Sequence, residues 1–191
     1  MPLKTSSLLT DAKPPSHIVY PCADENLIDE AAGTFAASGL RKGDAVVLVT
    51  TELRRQAIER RLKSESFDIE AKQSDGQLAF LDAASILSVF MLDGMPDALA
   101  FKNRVGQVIE KASLNPATGQ PRRVRIFGEM VSLLCKVGNV PAATRLEEFW
   151  SEIVAAHSVS LLCAYSLQPD SDRLPQCLLD AHSHDLSSVV H

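Results

Sequence analysis

A chain of 191 residues with 46% hydrophobic and 23% charged residues has the balance of a globular domain and the length to bury one core. Its formal net charge of −5 argues against a nucleic-acid-binding surface, and no apolar run reaches the roughly 18–20 residues a membrane helix requires. Residues Met1 to Pro15 lack the apolar core of a signal peptide, so the expectation is a soluble cytoplasmic protein with Cys22, Cys135, Cys163 and Cys177 as reduced thiols.

In chain order, residues 1–15 carry Ser, Thr, Lys and Pro14-Pro15 without periodicity and read as a flexible arm. His17-Ile-Val-Tyr20 reads as a strand stopped by Pro21. Asp24-Glu25-Asn26 then supplies an acidic first turn for a helix whose apolar face is Leu27, Ala31 and Phe35 with Ile28, Ala32 and Ala36. Gly39 is placed at the C-cap of that helix, and Gly43-Asp44 ends the turn after it. Ala45 to Val49 is an unbroken apolar run rich in β-branched residues, the pattern of a strand covered on both faces. Thr50 or Thr51 can cap the next helix, up to Ser64, with Leu53, Ala57, Ile58 and Leu62 predicted to face inward. Arg54, Arg55, Arg60, Arg61 and Lys63 are predicted to point outward, either as a solvated face or as a docking face for an acidic partner.

A third strand follows over Gln77 to Leu81, ended by Asp82. A helix is expected over Ala83 to Leu92 and a second over Pro96 to Ser113, with Phe101, Val105, Val108 and Ala112 on one face. Arg122 to Phe127 reads as the fourth strand, Leu133 to Val137 as a short helix, and Asn139-Val-Pro141 as the start of a long one buried along Leu146, Phe149, Trp150 and Ile153. Val159 to Tyr165 is the fifth strand. Beyond Pro169 the chain turns polar, with one or two helical turns over Leu174 to Leu179 and a loose end through Ser187 to His191. Strands and helices thus alternate, which predicts an α/β domain with a mostly parallel sheet of about five strands and helices on both faces.

The glycine-rich phosphate loop and the Rossmann glycine pattern are both missing from the sequence. The link after the first strand, Pro21-Cys22-Ala23-Asp24-Glu25-Asn26, holds two carboxylates and neither glycine nor lysine, which opposes a phosphate. No nucleophile elbow is present, and His182-Ser-His184 in a polar tail is read as incidental, so neither a metal nor a cofactor is predicted. Cys135 and Cys163 read as small buried hydrophobes. There remain polar residues near strand ends: His17, Tyr20, Glu52, Asp82, Glu129 and Tyr165. In a parallel sheet Glu52, Asp82, Glu129 and Tyr165 would share the carboxyl edge, where α/β domains bind ligands. Each could instead be a strand-end residue capping the next helix; Gly128, by letting backbone approach closely, favours Glu129 as the central contact.

The stretch Leu27 to Glu52, above all Gly39-Leu-Arg-Lys-Gly-Asp-Ala-Val-Val-Leu-Val-Thr-Thr-Glu52, resembles the corresponding part of RecA-like ATPases of the circadian-clock type. The whole run of residues 16–167 is more similar to the MEDS (methanogen/methylotroph sensory) domain, which resembles a three-layer RecA-like fold without its nucleotide loop. The segments carrying this are His17 to Tyr20, Gly39 to Glu52, Gln77-Leu-Ala-Phe-Leu-Asp82, Arg125-Ile-Phe-Gly128-Glu129-Met130 and Leu162-Cys163-Ala-Tyr165.

The resemblance implies a non-enzymatic signal-input module that senses a small organic compound. It would signal to a separate histidine kinase or transcription regulator, without membrane or direct nucleic-acid contact, and could form a homodimer. On this reading residues 1–15 are an arm, 16–167 the sensory domain and 168–191 a polar tail. The ligand contacts would be Glu129, with His17, Tyr20, Glu52, Asp82 and Tyr165 around it, and Arg54, Arg55 and Arg61 would form the partner surface. Two rival readings are a metal-assisted hydrolase with Glu52, Asp82 and Glu129 as ligands, and a ligand-free adaptor.

Overall fold

The apolar run Ala45 to Val49 is buried on both sides, as its lack of alternation predicts, because helices cover both faces of the sheet it occupies. The computed structural model describes residues 3–167 and 173–186, with side chains from Ser7 onward. In chain order the elements are α1 (Leu3–Thr10), β1 (Ser16–Cys22), α2 (Glu25–Arg41), β2 (Ala45–Thr50), α3 (Glu52–Ser64), α4 (Ile69–Ser74), β3 (Leu78–Asp82) and α5 (Ala83–Phe90). A hairpin of β4 (Met91–Leu92) and β5 (Met95–Pro96) follows, turning through Asp93 and Gly94, both with positive φ. Then come α6 (Ala98–Ala112), β6 (Val124–Gly128), α7 (Met130–Lys136), α8 (Val140–His157), β7 (Ser160–Ser166), α9 (Gln176–Leu179) and β8 (His184–Asp185).

The central sheet is parallel throughout, in the order β3-β2-β6-β7-β1-β8. It therefore has six strands rather than about five, the sixth being the two-residue β8 paired with Ile18 and Val19. One face packs under α1, α2 and α3 through Ile18, Val46, Leu48, Phe127 and Leu162. The other packs under α5 to α8 through Val19, Val47, Val49, Ile126 and Leu161. The strict alternation of these numbers along each strand is the period of two that sends neighbours to opposite layers. A fully buried knot of Phe101, Phe149 and Trp150, with ring centroids 5.2–5.6 Å apart, joins α6 to α8 on the second face.

Three local expectations change. Residues 3–10, expected within a flexible arm, form a helix whose Leu9 is fully buried. The Arg125 guanidinium, itself buried, holds that helix's end by donating to the carbonyls of Leu9 (3.0 Å) and Thr10 (3.2 Å), and it pairs with Asp44 at 2.8 Å. Gly39 is not the C-cap of α2: that is Lys42, and the positive φ falls at Gly43. Gly39 lies inside the helix because a Cβ there would stand 2.7 Å from Arg125 Cδ and 2.9 Å from Val46 Cγ2. Gly39→Ala is accordingly expected to lower stability by about 1–3 kcal/mol through overpacking. Urea unfolding measures this, and an unchanged midpoint would mean that Arg125 moves aside freely.

The third change is the phase of α3. Leu53 is 80% exposed, whereas Arg54 is 5% exposed and shares the buried stripe with Ile58 and Leu62. Hydrophobicity alone orients this helix one residue out, because Arg54 is satisfied by carboxylates that the sequence does not show to be near.

Candidate functional site

Two clusters of buried polar side chains stand out. The first closes the carboxyl edge of the sheet. Thr51 is the N-cap residue of α3 but caps nothing with its side chain. Its amide (2.8 Å) and hydroxyl (3.2 Å) instead donate to Glu129 Oε2, beyond the end of β6. Glu129 Oε1 accepts from Arg54 Nε at 2.7 Å. The same guanidinium reaches Asp29 and Glu25 on the first turns of α2. Both oxygens of Glu129 are thus engaged and all three nitrogens of Arg54 have carboxylate partners, so this edge is a lock between α2, α3 and β6. Arg54 belongs to that lock and not to a docking face, which corrects its assignment as a partner contact.

Asp82 and Glu52 lie at the same carboxyl edge, at the end of β3 and after the end of β2, but each has partners other than Glu129. Asp82 caps α5 by accepting from the Ser85 amide at 2.7 Å, and the Ser85 side chain first and this amide second hold its carboxyl below the usual range. Glu52 is exposed and accepts from Gln56 one turn on, at 3.0 Å. Tyr20 is buried on the α2 face, where burial first and the Cys22 thiol second push its phenol up to about 12. Tyr165 lies on the opposite face. His17 and Tyr20 are separated by an odd number of strand positions, so they too point to opposite layers. Of the predicted basic face, Arg55 pairs with Glu59 at 2.9 Å and stacks over Phe80, and Arg61 pairs with Glu65 at 3.2 Å. Both of those side chains remain partly exposed.

The second cluster lies inside the α8 layer and joins His17 and Tyr165 to residues the sequence reading did not select. At its centre is Glu147, in the middle of α8 and 0% exposed. His17 Nε2 stands 3.0 Å from Glu147 Oε2, and His182 Nε2 stands 3.5 Å from Glu147 Oε1. Tyr165 donates its hydroxyl hydrogen to Glu147 Oε1. Cys163 Sγ is 3.4 Å from His17 Nε2 and 3.8 Å from Glu147 Oε2. The two imidazole rings lie 4.1 Å apart.

The electrostatics of this cluster are lopsided. Burial raises the pKa of Glu147, but the neighbouring His17 and His182 imidazoles outweigh it and hold the carboxyl well below the usual range. Burial dominates at His17 and lowers its pKa despite the neighbouring carboxylate. The Cys163 thiol and Tyr165 phenol are both pushed up, by burial and then by the Glu147 charge.

Chain geometry explains the assembly. His17 opens β1, Cys163 and Tyr165 share the inward face of β7, and Glu147 and Ser151 sit one helical turn apart on the buried side of α8. His182 arrives from the segment between α9 and β8. That segment docks through Ser183, which donates its amide hydrogen to the His17 carbonyl at 2.8 Å, and through Leu186, whose amide bonds the Val19 carbonyl. Beside the cluster a cleft of about 240 Å3 opens between Pro15, Ser16, His17, Ser151, Ala181 and Ser183. Glu147 carried one legible signal: it falls on the same helical stripe as Ala143, Trp150 and Val154, where a carboxylate needs partners.

Among the described residues, the group of three or more His, Cys, Asp or Glu side chains close enough to share a metal ion is His17, Glu147, Cys163 and His182. Among the described residues Glu52, Asp82 and Glu129 form no such group.

The layered parallel sheet defines a RecA-like α/β domain. In agreement, a KaiC-like protein from the hyperthermophilic archaeon Pyrococcus horikoshii OT3 superposes with a TM-score of 0.61 over 88% of this chain and 70% of that one, at 15% identity. More particularly, the chain belongs to the MEDS family, the methanogen/methylotroph, DcmR sensory domain, whose sequence model matches residues 16–183. No curated protein matches the sequence. No helix among the described residues is long and apolar enough to cross a membrane.

Proposed function

We propose that this domain is a non-enzymatic signal-input module that takes up a small organic compound and relays its bound state to a separate protein, such as a histidine kinase or transcription regulator. Membership of a sensory-domain family supports the general role. The observation that carries the finer reading is the buried cluster around Glu147 lying beneath a short, separately docked segment, with a cleft opening onto His17 and Ser151. A compound in that cleft meets the polar side chains of Ser16, His17 and Ser151 and, through Ala181 and Ser183, the segment that supplies His182. The carboxyl edge is the weaker candidate, because Glu129 there is already saturated by Arg54 and Thr51.

The segment is poised for two states. It holds on through a two-residue strand pairing, the Ser183 contacts and Leu178 and Leu186, both fully or almost fully buried. A compound that binds one state better shifts the population by its differential affinity alone. The docked or released segment, with Arg55 and Arg61 on α3, is what the partner would read.

Comparison of native and denatured masses of the purified protein tests this, followed by hydrogen exchange in the presence of the compound found. The expected results are an excess mass of an organic compound and altered amide exchange over Leu174 to Leu186. A folded protein with no excess mass, and no exchange response to small alcohols, ketones, amines or carboxylic acids, would overturn the reading.

A further inference from the structure

The geometry points to a second property of the same cluster, independent of whether an organic compound binds: we propose that His17, Glu147, Cys163 and His182 form a four-ligand site for a divalent transition ion of the zinc class. The donor atoms are two imidazole nitrogens, one carboxylate oxygen and one sulfur, all within 4.8 Å of one another. The distances of 3.0 Å for His17 to Glu147 Oε2, 3.4 Å for Cys163 to His17 and 3.8 Å for Cys163 to Glu147 Oε2 are close to the edges of a zinc tetrahedron, and His182 Nε2 stands 3.5 Å from the other carboxylate oxygen. Those edges are about 3.3–3.8 Å for Zn–N near 2.0 Å and Zn–S near 2.3 Å.

The outer hydrogen bonds fix which ring nitrogens carry hydrogen. Ser151 donates its one hydroxyl hydrogen to the Ala181 carbonyl at 2.8 Å. Its oxygen can therefore only accept from His17 Nδ1, 3.1 Å away, so Nδ1 of His17 holds the ring hydrogen. His182 Nδ1 lies 2.7 Å from the Leu178 carbonyl, which accepts and never donates, so its ring hydrogen is on Nδ1 as well. With hydrogen on Nδ1, each ring turns its Nε2 toward the Glu147 carboxylate, and a proton or a metal cation must lie between the two. The His182 side chain is 0% exposed, and its Nε2 has no hydrogen-bond partner. Lone pairs facing an anion in a dry interior repel unless a cation lies between them.

A zinc-class ion satisfies all four donors at once, and the Nδ1 contacts are the outer-sphere bonds that orient metal-binding imidazoles. Three ligands come from the layered core, on β1, α8 and β7. The fourth comes from the C-terminal segment, so ion occupancy fastens that segment to the sheet. Four protein ligands leave no open position, which makes the site a structural clasp.

The test is titration of the untagged, chelator-treated full chain with Co2+ alone, followed in the visible and near-ultraviolet. The expected result is one equivalent bound, with the intense visible bands of tetrahedral cobalt and a thiolate-to-cobalt charge-transfer band, displaced by Zn2+. Cys163→Ser should remove the charge-transfer band. His182→Ala, outside the sheet, should weaken Co2+ at least about tenfold with the circular dichroism of the fold unchanged. His184→Ala should leave it unaltered. Folded protein that takes up no Co2+ would overturn the proposal. So would weak binding that is insensitive to Cys163→Ser and His182→Ala, meaning that protons alone occupy the cluster. Because no organic compound is present, failure here leaves the proposal of a small-molecule sensor standing, and an organic mass excess alone would not rescue the metal site.

Discussion

Arg54→Ala is expected to cost about 3–5 kcal/mol of folding stability, the range for removing one partner of a buried ion pair. The side chains of Arg54 and Glu129 are each 5% exposed, and among the described residues Arg54 is the cation that touches Glu129 Oε1. Removing it leaves a carboxylate in the interior with only Thr51 as donor. Glu25 and Asp29 add less, since they are 52% and 32% exposed and water screens them. Arg54→Lys should recover only part of the loss, because an ammonium cannot serve three carboxylates from one planar fork. A double replacement, Arg54→Met with Glu129→Leu, should restore most of it. Guanidinium unfolding of the four proteins measures these differences. A cost below about 1 kcal/mol for Arg54→Ala would mean that water reaches Glu129 and that the carboxyl edge is open to ligands after all.

The second large effect is expected at Glu147. Glu147→Ala takes away the acceptor of the Tyr165 hydroxyl and the carboxylate that His17 and His182 both face. At about 1–3 kcal/mol for each buried group left without a partner, the loss is roughly 2–5 kcal/mol. It should also be local in a way that the loss of Arg54 is not. His182 loses its anchor, so amides from Leu174 to Leu186 should exchange faster while the sheet interior stays protected. Arg54→Ala should instead speed exchange around α2 and α3. The two residues sit in different layers of the sandwich, so their costs should add to within about 0.5 kcal/mol. Hydrogen exchange of both single mutants checks the separation, and an undisturbed C-terminal segment in Glu147→Ala would show that it docks without the cluster.

The sheet was largely legible because its signals are local. Ala45 to Val49 lacks alternation and has strand length, and Asn139-Val-Pro141 announces a helix through a cap and a proline in its first turn. Family resemblance carried the RecA-like topology, which periodicity alone would not. The clusters were legible only in part because their partners come together from distant stretches. A one-dimensional reading places Arg54 on the surface, since it is charged, and so rotates α3 by one residue. It assigns Gly39 to a cap because glycine commonly ends helices; the real constraint is the Arg125 side chain, 86 positions later in the chain. His17 and Tyr165 were selected for lying near strand ends, yet what unites them is a helix carboxylate between them. His182 reads as incidental among its polar neighbours, although the chain turns it inward against Glu147.

The way the C-terminal segment closes the cluster also sets a timetable for biosynthesis. His17 lies in the first strand, and Ser183, which holds it, is 166 residues further on. Until that segment docks, the sheet has a bare edge at β1 and a half-built polar centre facing solvent. Contacts of such long sequence separation form late and slowly. The finished domain is therefore distinguished from its own folding precursor by one small closing step, and a chaperone or protease need inspect only that step to tell them apart.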